Sequence, residues 1–173
     1  MKLIHKILSA CIGICGVHSI ANAVVQDRIC AMSTTGDSIE IVADFDGSVY
    51  NINVHTLAPL GLWSSATTVG SAPQFVSVQG AVNSLGHAVV LWVTYDTVNS
   101  VDTLYMSFYD GISWSLPTAL STATESINGS FGVCLSNADW TLINWQSYDT
   151  GTGNFVVRSV IGVLGALSSP VTM

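Results

Sequence analysis

The sequence predicts an all-β chain built from three four-stranded antiparallel units, on three observations. Trp92-Val93-Thr94-Tyr95-Asp96 lines up with Trp145-Gln146-Ser147-Tyr148-Asp149, 53 residues on, and with Val42-Ala43-Asp44-Phe45-Asp46, 50 residues back. A second anchor, Trp114-Ser115-Leu116-Pro117, matches Trp63-Ser64-Ser65-Ala66 at an offset of 51 and Leu167-Ser168-Ser169-Pro170 at 53. Between the anchors, β-branched residues are spread throughout, and no stretch after the N-terminal segment carries a helical stripe.

The first element is an address. Lys2 and Lys6 precede the apolar run Ile7–Val17, and Ala21-Asn22-Ala23 is a small-x-small cleavage site. Residues 1–23 therefore read as a secretory signal peptide, with an apolar run too short to span a bilayer as a helix. A lipoprotein cut before Cys11, at Leu8-Ser9-Ala10-Cys11, is the competing reading and would leave few apolar residues after Lys6. Residues 24–173 then form a single repeat domain, expected in secreted or cell-surface form, in the periplasm or outer membrane of a bacterium.

Val24 to Arg28 reads as a lead-in. Repeat one, about residues 30–70, has strands at Cys30–Thr34, Ser38–Phe45, Ser48–His55 and Leu62–Val69. Asp46-Gly47 is its hairpin turn, since Gly accepts the positive φ that tight turns demand. Repeat two, about 75–121, has strands at Phe75–Val82, His87–Tyr95, Asp102–Tyr109 and around Ser113–Leu116, with turns at Asn83–Gly86 and Asp110-Gly111. Ser121 to Gly129 reads as a polar, mobile link. Repeat three, about 130–173, has strands at Ser130–Leu135, Trp140–Tyr148 and Asn154–Val160, and a fourth ending near Pro170.

Four short strands per unit of about 50 residues is the form of a propeller blade. Blades closing on Trp-Ser-x-Pro after an aromatic–Asp turn resemble the sialidase-type repeat propellers, including the Asp-box group. Ser107, Gly111 and Trp114 stand at Asp-box spacing, although Tyr109 occupies the place of the box aspartate and Asp110 comes one residue late. The resemblance is to a repeat style over roughly Cys30–Met173, and it implies an incomplete propeller, because closure takes about 4–8 blades. Two wet blade faces would remain, so a homo-oligomer closing the ring is expected.

Charge narrows the partners. After Ala23 the cations are Arg28 and Arg158, set against eleven Asp and Glu, a formal charge of −9. Such a surface repels phosphate backbones and anionic lipid, so nucleic acid is not an expected partner. Cys30 and Cys134 fall on the first strands of repeats one and three. A disulfide between them suits an oxidising compartment, and two buried thiols suit the pattern equally.

Trp92 and Trp145 could stack on sugar rings, but mid-strand they read first as packing residues, as do Trp63 and Trp114. Trp140 aligns with His87 and Asp37 at a strand start beside the turn. That variable place is where a repeat protein would hold specificity, so Trp140, His87 and Asp37 are the expected ligand contacts. Asp46, Asp96 and Asp149 recur after an aromatic residue and read as turn caps ahead of calcium ligands.

No metal spacing, cofactor motif or Gly-x-Ser-x-Gly occurs, and two arginines cannot form the arginine triad a sialidase needs. The expectation is thus a non-catalytic exported module that binds a glycan or protein ligand. A structural or adhesive surface protein and a small outer-membrane barrel are the alternatives.

Overall fold

The structure, a computed structural model, describes residues 24–74, 77–96, 101–122 and 125–173. The expected signal segment, residues 1–23, lies outside the described residues. Among the described residues, all of the regular structure is strand. Strands β1 (Val24–Met32), β2 (Ser38–Phe45), β3 (Tyr50–Leu57) and β4 (Thr67–Ala72) form a first antiparallel sheet in chain order. A second holds β5 (Ser77–Val82), β6 (Ala88–Asp96), β7 (Val101–Tyr109) and β8 (Thr118–Ala119). The third holds β9 (Glu125–Leu135), β10 (Trp140–Asp149), β11 (Asn154–Val163) and β12 (Ala166–Leu167), with β13 (Val171–Thr172) also pairing β11.

The sheets pack face to face, and alternation along each strand decides what lies between them. Ile39, Ile41 and Ala43 of β2, with Ile52 and Val54 of β3, meet Val78, Ala88, Val90 and Trp92 of the second sheet. On the opposite face of β6, Val89 and Leu91 join Leu104, Ile143, Trp145 and Val160 in a second core. Strand β6 is covered on both sides, which explains why Ala88-Val89-Val90-Leu91-Trp92-Val93 is a continuous apolar run. Each fully buried side chain of this size contributes about 1.5–3 kcal/mol relative to exposure. The strands make three separate sheets with sandwiched cores, not the one closed sheet of a barrel.

The Trp-Ser anchor has a structural cause, and it lies in the serine. Ser64, Ser115 and Ser168 each donate their backbone N–H to a carbonyl of the preceding long strand, Thr56 (2.8 Å), Phe108 (2.8 Å) and Ile161 (2.9 Å). In return, each serine Oγ accepts the N–H of that same residue, at 2.9, 3.1 and 3.2 Å. The pair of bonds ties the closing segment to the strand before it, and tolerates Trp63 and Trp114 being replaced by Leu167.

Several sequence expectations are corrected. The first strand begins at Val24, so Val24–Arg28 is strand and not lead-in. The second link is shorter than expected, because Glu125–Gly129 belongs to the eleven-residue strand β9. A glutamate enters this strand buried because Arg158 meets it, Nε to Oε1 at 3.0 Å. The fourth strand of the second sheet is Thr118–Ala119 rather than Ser113–Leu116. Trp114 makes a single bridge to Tyr109 and packs on its ring at 5.2 Å between centroids. The expected disulfide is not formed. Cys30 lies on β1 and Cys134 on β9, first strands of sheets that the second sheet separates.

Candidate functional site

The three residues expected to touch ligand occupy one equivalent position. The turns Ser33–Asp37, Asn83–His87 and Ser136–Trp140 are each closed by the first residue's N–H donating to the fifth residue's carbonyl, at 2.8, 2.9 and 2.8 Å. In each, the fourth residue's N–H donates back to the first residue's carbonyl. That fourth residue takes positive φ: 101° at Gly36, 79° at Gly86 and 62° at Asp139. Asp is among the few side chains that enter the left-handed region readily. Asp37, His87 and Trp140 are the fifth residues.

They are not brought together in one pocket. Asp37 and His87 each face the sheet that follows their own. Asp37 is buried, accepts from Thr35 Oγ1 (2.6 Å) and Ser33 Oγ (3.2 Å), and lines a hollow of ≈ 200 Å³ with Leu85, Gly86 and Tyr109 of the second sheet. His87 turns to the third sheet, its Nδ1 2.8 Å from Asp139 Oδ1. The same carboxylate oxygen accepts from Asn83 Nδ2 at 2.7 Å, and Asn137 Oδ1 accepts from the Ser84 N–H. Trp140 faces no following sheet among the described residues and is 53% exposed. It borders a shallow depression of ≈ 270 Å³ with Cys134, Leu142 and Ile161.

Other expected site residues are structural. Trp92 and Trp145 are both buried. Trp92 stacks on Tyr105 at 5.8 Å and lies so close over Gly70 that a Cβ there would sit 2.4 Å from the ring. Trp145 Nε1 donates to Glu125 Oε2 at 3.3 Å. Asp46 Oδ1 caps its turn by accepting the N–H groups of Ser48 (2.9 Å) and Val49 (3.0 Å). Asp149 Oδ1 accepts from Gly151 (2.9 Å) and Thr152 (3.4 Å) in the same way. The side chain of Asp96 lies outside the described residues. Among the described residues, no group of three or more His, Cys, Asp or Glu is placed to hold a metal ion.

The clefts at the opposite end carry the residues that sequence reasoning missed. Between the first and second sheets, Asn51, Thr68, Trp92, Thr94, Tyr105 and Leu116 line a groove of ≈ 560 Å³. Between the second and third, Gln74, Ser77, Tyr95, Asp102, Ile127 and Phe131 line a cleft of ≈ 360 Å³. In that cleft Tyr95 and Asp102 are direct cross-strand partners of β6 and β7, and Tyr95 is 37% exposed. Burial raises the Asp102 carboxyl above its ordinary value of 3.8, outweighing the hydrogen bond it accepts from Ser126 Oγ at 3.3 Å. An aromatic face, an amide and a carboxyl that keeps its proton unusually long converge on one open cleft. Such a set can stack on a pyranose ring and hydrogen-bond its hydroxyls.

No protein-family model and no curated protein matches this chain. Among solved structures, its fold is similar to that of polysaccharide lyase Uly1, with a TM-score of 0.56 and 12% sequence identity. The match covers 86% of this chain but 40% of the lyase chain, so this chain spans well under half of that protein. At this identity the likeness is one of fold. It still corrects the expectation that the chain is not an enzyme: a polysaccharide lyase carries this arrangement of sheets, so the architecture gives no ground for setting catalysis aside.

Proposed function

We propose that this chain is an exported glycan-interacting protein whose three sheets are blades of an incomplete propeller, in the sialidase-type repeat style. Its polysaccharide segment would lie in the cleft between the second and third sheets. The observation that carries this reading is Tyr95 standing exposed beside Asp102, with Gln74 and Phe131 lining the same cleft. The fold shared with a polysaccharide lyase supports the substrate class. Both arginines of the described residues are engaged, Arg28 with Glu40 at 3.4 Å and Arg158 with Glu125 at 3.0 Å. Together with the acidity of the chain, this favours a neutral glycan over a polyanionic one.

The Trp140 position is a second contact candidate, since it presents an open indole where a sugar could stack. A glycan array probed with wild type, Tyr95→Ala and Trp140→Ala separates the two. Binding by wild type that drops about tenfold or more in Tyr95→Ala, as loss of an aromatic anchor does, supports the cleft. Loss in Trp140→Ala alone moves the site to the outer face, and a wild type that binds no glycan removes the proposal. A reducing-end assay on the bound glycans reads whether bond cleavage follows binding.

A further inference from the structure

One contact between neighbouring turns is made twice in this stack, with different chemistry. Between the second and third sheets it is an ion pair. The fifth residue of one turn, His87, meets the fourth residue of the next, Asp139, Nδ1 to Oδ1 at 2.8 Å. Between the first and second sheets the fifth residue is Asp37 and the fourth is Gly86. Gly86 has no side chain, and a Cβ built on it would stand 3.5 Å from Asp37 Oδ1. A carboxylate is present on one side of this contact, and the facing turn offers it no cation.

Asp37 is 8% exposed and already oriented. Its Oδ2 accepts both hydroxyl bonds, from Thr35 Oγ1 at 2.6 Å and Ser33 Oγ at 3.2 Å, while Oδ1 is the oxygen directed at Gly86. Among the described residues, no Arg or His forms an ion pair with it. His87, the residue after Gly86, turns the other way to Asp139. A charge withdrawn from water is costly unless an opposite charge meets it. A cation donating to Oδ1 would therefore be stabilised as the His87–Asp139 pair is, by a charge-assisted hydrogen bond.

The hollow of ≈ 200 Å³ around Asp37 decides which cation fits. Leu57 and Ala58 at the end of β3 line it together with Val82, Leu85 and Tyr109, so its walls are largely apolar around one carboxylate. The Tyr109 hydroxyl is engaged, donating to the Gly111 carbonyl at 3.0 Å. Calcium takes about 6–8 oxygen ligands, which one carboxylate between apolar walls does not supply. A primary ammonium on a short aliphatic stem suits both parts. It donates an N–H to Oδ1, lays its methylenes on the leucines and brings a cation to an aromatic residue. We infer that this hollow is a binding site for a small primary alkylammonium compound, with Asp37 as its counter-ion. It lies at the turn end of the strands, opposite the Tyr95–Asp102 cleft, and does not rest on the glycan reading.

Titration of the isotope-labelled protein with n-propylammonium chloride, read at the amide resonances of Leu85, Gly86 and Gly111, tests this. The comparison arms are n-propanol, similar in shape without the charge, and calcium chloride. Saturable shifts are expected with n-propylammonium and with neither comparison. Asp37→Asn should weaken binding about tenfold or more, through loss of the charge-assisted bond. Because Asp37→Asn alters a turn, the exposed Leu85 supplies the second variant. In Leu85→Lys the chain's own ammonium should fill the hollow, raise the melting temperature and abolish the response to n-propylammonium. Absence of a saturable shift in wild type, an equal response to n-propanol, or saturation of the same amides by calcium would each overturn the inference. So would an Asp37→Asn or Leu85→Lys titration that matches wild type.

Discussion

Tyr95 and Asp102 face each other across the β6–β7 ladder, a phenol beside a carboxyl whose pKa burial raises above its ordinary value. Because the folded-state value is raised, ionising Asp102 costs the native state free energy once pH climbs past 3.8 and through the shifted value. Asp102→Asn should therefore raise the melting temperature at neutral pH and leave it nearly unchanged below 3.8. A variant no more stable than wild type at pH 7 would show that the cleft does not penalise the charge.

Asp46 and Asp110 should behave in the opposite sense. Backbone N–H groups hold both carboxyls below 3.8, led by Val49 at Asp46 and Ser113 at Asp110. Their stabilisation is present above 3.8 and fades as pH falls through the lowered values. The double variant Asp46→Asn, Asp110→Asn should flatten the acid limb of a melting-temperature profile between about pH 2 and 5.

The buried Glu125 carboxylate is met by Arg158 Nε at 3.0 Å and by the Trp145 indole N–H. Glu125→Ala removes the nearer carboxylate from Arg158, which keeps Asp149 Oδ2 at 3.8 Å, and should cost about 1–3 kcal/mol in urea unfolding through the lost buried partners. Glu125→Gln keeps the indole's acceptor and should cost less.

Gly70 leaves room for the Trp92 ring, and an added methyl would start 2.4 Å from it. Gly70→Ala should destabilise by about 1–3 kcal/mol through overpacking and alter the tryptophan emission spectrum. An unchanged spectrum and stability would mean that the first two sheets separate easily.

Ser64, Ser115 and Ser168 should be equivalent. Each Ser→Ala removes one hydroxyl acceptor from a strand N–H and should cost about 1 kcal/mol. Similar losses at all three sites, measured by chemical unfolding, are the expected outcome. A loss confined to one would mean that the shared geometry carries no shared energy.

Much of the fold was legible because its signals are local. Gly36, Gly86 and Asp139 mark the positive-φ position of the same turn, and the serine after Trp63, Trp114 or Leu167 makes the same pair of bonds. The alignment of Asp37, His87 and Trp140 followed from those turns and is correct as a register. The candidate site was far less legible. Nothing in the neighbourhood of Glu125 says that Arg158, 33 residues later, will neutralise it inside a strand. The cleft joins Gln74, Asp102 and Phe131 from three segments that meet only when sheets stack.

The residue order by itself determined that the described residues are β, where their hairpins turn, and which residues recur in phase, since strand periodicity and turn chemistry act over a few residues. Only the tertiary structure decided that Asp37 would be buried, His87 bound to Asp139 and Trp140 left open. Position in the stack sets those fates. The same place in a turn is an interface where another sheet follows, and open surface at the third sheet, the last among the described residues.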